Sequence, residues 1–404
     1  MTVYILGTLD TKGTEVGYVR DLLSEFGLTT CVVDTGCLGE PTIPADILRE
    51  AIFDAAGGSL VEVRNKGDRG SAVTLAAIGA AKIVAAAHAR GDVSGVISLG
   101  GSAGTTIGTS AMRALPLGVP KLMVSTLASG QTRPYVGSKD ILMFNAVVDI
   151  AGFNRISRTI LDNAARAMAG MVKLPRPVNQ ELKRQDRPLI AATMFGVTTP
   201  CVERARQILE QSGYEVIVFH ATGIGGEAME GLINDGLFAG VLDLTTTELA
   251  DELVGGILSA GPSRLTAAGR KGIPQVISVG ALDMVNFGEA NSVPEKFKGR
   301  TFYQHNATVT LMRTTVDENR KLGEEIGRKA AAATGPTAIL IPLKGVSAID
   351  QTGKPFDDPA CRNALCEGIR AAHGNVELIE LDCHLNDDLF AEAAARRLLK
   401  MLDK

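Results

Sequence analysis

GVISLGGSAGTT, residues 95–106, decides the fold. A short apolar run rich in β-branched residues passes directly into glycines and hydroxyls, which is how a buried parallel strand hands over to a helix. The flanking sequence repeats that grammar. VYILG (3–7) reads as a buried strand, TEVGYVRDLLSEFG (14–27) as an amphipathic helix and TTCVVDTG (29–36) as a second strand, together a βαβ unit. A helix from about Ala45 to Ala56, a glycine-rich irregular stretch and the alanine-rich helix SAVTLAAIGAAKIVAAAHARG lead up to the quoted strand. Beyond it come the strand KLMVST (121–126) and the helix ISRTILDNAARAMAGM.

VKLPRPVNQELKRQDRPL (172–189) has three prolines, a run of charges and no apolar period, so it marks a boundary. The same order then restarts with LIAATMFG (189–196), the helix TPCVERARQILEQSG and YEVIVFHATG (214–223). GVISLGG is echoed by GVLDLTT (240–246), and GVPKLMVST by GIPQVISVG (272–280). The expectation is two similar α/β domains with mainly parallel sheets, residues 1–175 and 186–404. The closing helix LFAEAAARRLLKML is expected to pack across their interface, and His305 and Asn306 read equally as site residues and as a cap or turn.

Composition limits the partners. The 404 residues are 45% hydrophobic and 21% charged with net charge -4, an ordinary globular balance. With no Trp, 4% aromatics and no basic cluster, a nucleic-acid surface is not expected. Apolar runs are short and glycine-broken and the opening MTVYILGTLD lacks a basic n-region, so no membrane association is expected and the cytoplasm is the predicted location. Six cysteines without a CxxC pair, and isolated histidines, suggest neither disulfides nor a metal site of the protein's own.

Gly100, Gly101, Ser102, Ala103, Gly104, Thr105 and Thr106 sit where unpaired helix N–H groups and the positive helix end favour an anion. The stretch matches neither GxxxxGK[ST] nor GxGxxG, and its glycines would equally let a helix pack closely on a strand. Ligands of open α/β sheets lie at the carboxyl ends of strands, where other polar loops should converge. These carry Asp10, Thr11 and Lys12; Asp34 and Thr35; and Ala128, Ser129, Gly130, Arg133 and Asp140. Lys12 and Arg133 suit phosphates, and Asp10 or Asp34 suits a ribose or magnesium, although each charge alone also reads as a solvated loop residue.

Taken in order, GTLDTKGTE, VVDTG, ISLGGSAGTT, VGSKDI, VVDIAGFNRIS, HNATVTLMRTT, IPLKGVSAIDQTGKPFDDP and LDCHLNDDLFAEA resemble the ATP-binding family of the tomato mosaic virus resistance protein over essentially the whole chain. The resemblance implies two Rossmann-like three-layer domains, ATP in the N-terminal one, and a homodimer. Some longer relatives append a TIM barrel, which here would be a separate partner.

In the second domain, Arg313, Lys344, Asp350 and His384 supply cation, acid and base types for a small anionic substrate, while the HLND around His384 reads equally as a cap for the last helix. The functional expectation is an ATP-binding enzyme, a transferase or ligase using ATP with Mg2+ on a small anionic metabolite such as a sugar acid, in an interdomain cleft. The alternative is a non-catalytic nucleotide sensor that controls a protein partner. A third reading, an isomerase, lyase or hydrolase, has the cradle hold a phosphorylated substrate.

Overall fold

Residue alternation along the central strands already requires three layers. In the computed structural model, which describes residues 1–174 and 187–403, Tyr4 and Leu6 enter one buried cluster while Val3 and Ile5 enter another. Successive side chains of a strand point to opposite faces, so both faces of the sheet are covered. The chain divides into two units, Met1–Asn179 and Gln180–Lys404. Of the boundary stretch 172–189, residues 175–186 lie outside the described residues.

The first unit runs β1 (Thr2–Gly7), α1 (Leu9–Glu25), β2 (Thr29–Asp34), α2 (Arg49–Ala56), α3 (Leu60–Lys66), α4 (Arg69–Ala89), β3 (Gly95–Gly100), α5 (Ser102–Arg113), β4 (Lys121–Ser125), α6 (Arg133–Val136), β5 (Leu142–Asn145) and α7 (Arg155–Lys173). Its sheet is parallel in the order β2-β1-β3-β4-β5. The order reverses between β1 and β3, and that switch point is where open sheets of this kind leave a crevice. Helices α1 and α7 cover one face, and α2, α4 and α5 the other. α1 begins at Leu9, well before the sequence-predicted Thr14, so the polar GTLDTKGTE loop is largely the first turns of a helix.

α4 corrects an expectation. Within its 21 residues an 18-residue window reaches a mean hydropathy of 1.6, enough by length and composition to cross a bilayer. Here Ala72, Ala76, Ala80, Val84 and Ala87 join the core of the first unit.

The second unit runs β6 (Leu189–Met194), α8 (Thr199–Gln211), β7 (Glu215–His220), α9 (Ile224–Asn234), β8 (Gly240–Thr245), α10 (Glu248–Val254), α11 (Ala267–Lys271), β9 (Gln275–Gly280), β10 (Met284–Phe287), β11 (Phe302–Asn306), β12 (Val309–Arg313), α12 (Val316–Ala331), β13 (Thr337–Pro342), α13 (Pro359–Ala372), β14 (Glu377–Leu381) and α14 (Asp388–Leu402). Its parallel sheet, β7-β6-β8-β9-β13-β14, repeats the strand order of the first unit with one strand added. An antiparallel sheet, β10-β12-β11, is inserted between β9 and β13. His305 and Asn306 end β11 in the hairpin to β12, where Asn306 Oδ1 accepts the Thr308 N–H at 2.9 Å. Contrary to expectation, α14 lies beside α8 on its own unit's sheet, burying Phe390, Ala394 and Leu398.

Candidate functional site

The first unit has a cleft of about 310 Å³ at the switch point, lined by Thr8, Asp10, Thr11 and Lys12 after β1 and by Gly100–Gly104 after β3. That volume is at the low end of small-molecule sites, about 300–1,000 Å³. Thr35, Cys37 and Leu38 close one side, and Ala72, Val73, Ala76 and Ile107 form an apolar wall. Arg69 and Asp149 also reach the cleft. Neither was singled out from sequence: Arg69 falls in the glycine-rich stretch before the helix expected from Ser71, and Asp149 is one loop charge in VVDIAG.

Two helix N-termini meet here and differ in state. On α1, the Leu9 N–H is taken by Asp34 Oδ1 at 3.1 Å, and those of Thr11 and Lys12 by Thr8 O. On α5, the N-cap Gly101 offers no side-chain cap. Its first intrahelical bond is Thr105 N–H to Gly101 O at 2.8 Å, which leaves the Ser102, Ala103 and Gly104 N–H groups without intrahelical acceptors. They stand at the positive end of a 12-residue helix, in the cleft wall.

The glycines divide by cause. A Cβ on Gly100 would stand 2.8 Å from Gly104 Cα, and one on Gly104 would stand 3.2 Å from Leu99 O, so both serve close helix-on-strand packing. A Cβ on Gly101 would meet only Thr126 Oγ1, at an ordinary 3.7 Å. Packing therefore does not account for Gly101, whereas close approach of a ligand to the backbone would.

The remaining predicted residues act around the cleft. Asp34 is 2% exposed and pairs with Arg49 at 2.8 Å while accepting the Leu9 and Gly36 N–H groups. Burial raises its pKa against the opposing pull of those N–H groups and Arg49, so it is a brace behind the site. Asp10 Oδ2 accepts Leu38 N–H at 2.8 Å and Gly39 N–H at 3.2 Å, pinning the loop after β2. Lys12 Nζ donates to Ile150 O. Thr105 is buried, bonded to Gly101 O and Ser125 Oγ, and the Thr106 hydroxyl donates to Ser102 O at 3.0 Å. Ala128, Ser129 and Gly130 turn after β4, outside the cleft lining, as is Arg133 in α6. Asp140 is at the far end of the sheet, where it pairs at 2.7 Å with Lys121, the first residue of β4.

In the second unit three of the four predicted residues meet, but in the interior. Arg313 reaches Asp350 Oδ1 at 3.4 Å, Phe356 O at 2.9 Å and Asp283 O at 3.2 Å. Arg362 also bonds Asp350 at 2.7 Å, and Ser347 Oγ donates to Asp283 at 2.8 Å. Burial, reinforced by nearby Asp350, holds the Asp283 carboxyl well above the usual carboxylate range. His384 is 5% exposed; its Nε2 lies 2.9 Å from Ser347 O and its Nδ1 accepts Asn386 N–H, which fits a neutral ring with the proton on Nε2. Lys344 is elsewhere, exposed and paired with Asp382. Asp387, the N-cap of α14, turns its carboxylate back to His384 N–H at 2.8 Å.

The switch point of the second unit is filled by its own side chains. Glu248 accepts the Gly223 and Gly226 N–H groups at the start of α9, taking the place an anion would have. Arg264, fully buried, bonds Glu248 and Asp243, and Glu230 receives three backbone N–H groups at the start of α11. The contrast with the open N-terminus of α5 singles out the first unit.

Residues 1–177 match the N-terminal domain of the "Uncharacterised protein family (UPF0261)", and residues 187–402 its C-terminal domain. The chain belongs to the UPF0261 family. A UPF0261 protein of Clostridium tetani is 52% identical over all of this chain and 99% of its own length. The ToMV resistance protein Tm-1 of Solanum lycopersicum is 39% identical over all of this chain and 56% of its own length. Among solved structures, a UDP-N-acetylglucosamine 2-epimerase from Rickettsia bellii aligns over 100% of this chain and 96% of its own at 10% identity, with a TM-score of 0.23. A likeness that low carries no argument about a ligand.

Proposed function

We propose that this UPF0261 protein binds ATP in the first-unit cleft, with its phosphates on the open N-terminus of α5. The observation carrying this is the set of free N–H groups at Ser102–Gly104 facing a cleft that also holds Lys12 and Arg69. The apolar wall of Ala72, Val73, Ala76 and Ile107 suits the nucleobase. Asp10, Asp149 and the Thr8, Thr11 and Thr35 hydroxyls are hard oxygen donors, a set that fits Mg2+. Magnesium bound with the phosphates would neutralise their charge and fix their geometry. Calorimetric titration with ATP, ADP and sugar phosphates tests the reading: ATP should bind at one site per chain, and Lys12→Ala should weaken it about tenfold or more. Preference for a sugar phosphate over ATP would contradict it.

Of the two roles for that nucleotide, sensing is favoured by the state of the second unit. Arg313 and Asp350 are buried and paired with each other, His384 is buried with its ring held by Ser347 O and Asn386 N–H, and Lys344 stands apart from them, so they present no open acceptor site. ATP-dependent transfer to a small anionic metabolite remains the second reading; turnover of Mg-ATP with any member of a sugar-acid panel would restore it. The same reading has the protein act in the cytoplasm as a homodimer beside a separate TIM-barrel partner, and sedimentation at twice the monomer mass would support the dimer.

A further inference from the structure

Four charged side chains line the first-unit cleft: Lys12, Arg69, Asp10 and Asp149. Asp10 is engaged by two backbone N–H groups. Asp149 is exposed, and among the described residues no hydrogen bond or ion pair engages its carboxylate. It is nevertheless held in place. The next residue, Ile150, gives its carbonyl to Lys12, and Gly152 N–H donates to Glu15 at 2.7 Å, a carboxylate only 2% exposed. Two positions earlier Val147 has φ 61°, a conformation a β-branched residue rarely adopts.

An uncommitted carboxylate beside a phosphate cradle repels a bare triphosphate. The sign of that interaction reverses only if a cation arrives between them. No group of three or more His, Cys, Asp or Glu among the described residues could cage a metal. Magnesium, however, needs no such cage: it keeps several waters and binds through one or two carboxylates together with substrate phosphates.

We propose that Asp149 receives the divalent cation carried in by the nucleotide, so that this cleft takes ATP as its magnesium complex and discriminates against the metal-free anion. The inference rests on the ATP reading above. The test is calorimetry on the full chain and on Asp149→Asn, with ATP in EDTA, ATP with excess Mg2+, and Mg2+ alone. The wild type should bind ATP with Mg2+ about tenfold or more tightly than ATP in EDTA, and should not bind Mg2+ alone. Asp149→Asn should shrink that ratio from both sides, binding the magnesium complex more weakly and metal-free ATP more tightly.

Equal affinities with and without Mg2+ in the wild type would overturn the inference while leaving ATP binding intact. So would an Asp149→Asn variant that weakens both forms equally, the pattern of a ribose contact. No binding of either form would overturn the ATP reading and this inference together.

Discussion

Gly101 and Gly100 are adjacent glycines with different reasons for being glycine, and substitution should separate them. Alanine at Gly100 forces a methyl to 2.8 Å from Gly104 Cα, so the first unit should lose about 1–3 kcal/mol in urea unfolding. The Cβ of a valine at Gly101 meets only an ordinary contact with Thr126, so the unfolding midpoint should stay close to that of the wild type. A parallel contrast holds in the second unit. Asp350→Ala leaves the buried Arg313 without its carboxylate, while the half-buried Arg362 keeps Asp357, and should cost about 3–5 kcal/mol. Lys344→Ala breaks only a solvated pair with Asp382 and should leave unfolding unchanged. A large loss of stability in Lys344→Ala would show that the exposed lysine has a structural partner after all.

Strand ends account for both the likeness and the divergence of the two sheets. The apolar runs of β1, β3, β6 and β8 are buried but for the ends of β6, and they are legible because a strand covered on both faces tolerates nothing polar for long. The repeat of GVISLGG by GVLDLTT likewise identified equivalent strands, and the loss of glycines there marks the filled switch point. What fills it was not legible. Arg264 meets Asp243 and Glu248 only through the fold, from 21 and 16 residues away, and no local pattern announces such a pairing. The β10-β12-β11 sheet was missed because its short strands carry loop-like residues such as Gln304, His305 and Asn306. Within the cleft, Asp10 and Lys12 were found from polar loops, whereas Arg69 and Asp149 needed the packing of α4 and the loop after β5. Arg264→Met would leave Asp243, Glu248 and Glu230 buried without their cation. It should lower the stability of the second unit by about 3–5 kcal/mol in urea, and an unchanged midpoint would mean that these carboxylates are neutral in the folded protein.

The buried acids also set how the whole chain responds to pH. Burial pushes Asp251 up to about 7 despite its bonds from Asn286 and Leu258, and burial raises Glu248 and Asp34 as well. A carboxyl whose folded pKa exceeds its unfolded value binds its proton more tightly in the native state. Its contribution to stability is complete below the unfolded value of about 4 and is lost as pH rises through about 7. The urea midpoint should therefore rise as pH falls from 7.5 to 5.5, and Asp251→Asn should flatten that rise; a midpoint that falls over this window would refute the sign.

At neutral pH the two units use the same strand order to different ends, one with its switch point sealed and the other with it open. The most direct test of that division is a calorimetric titration of Mg-ATP into the full-length chain and into Gly101→Val. The account predicts one ATP per wild-type chain and an affinity reduced about tenfold or more by the valine, with the unfolding midpoint retained. Equal affinity in the two proteins, or no binding to the wild type, would contradict it.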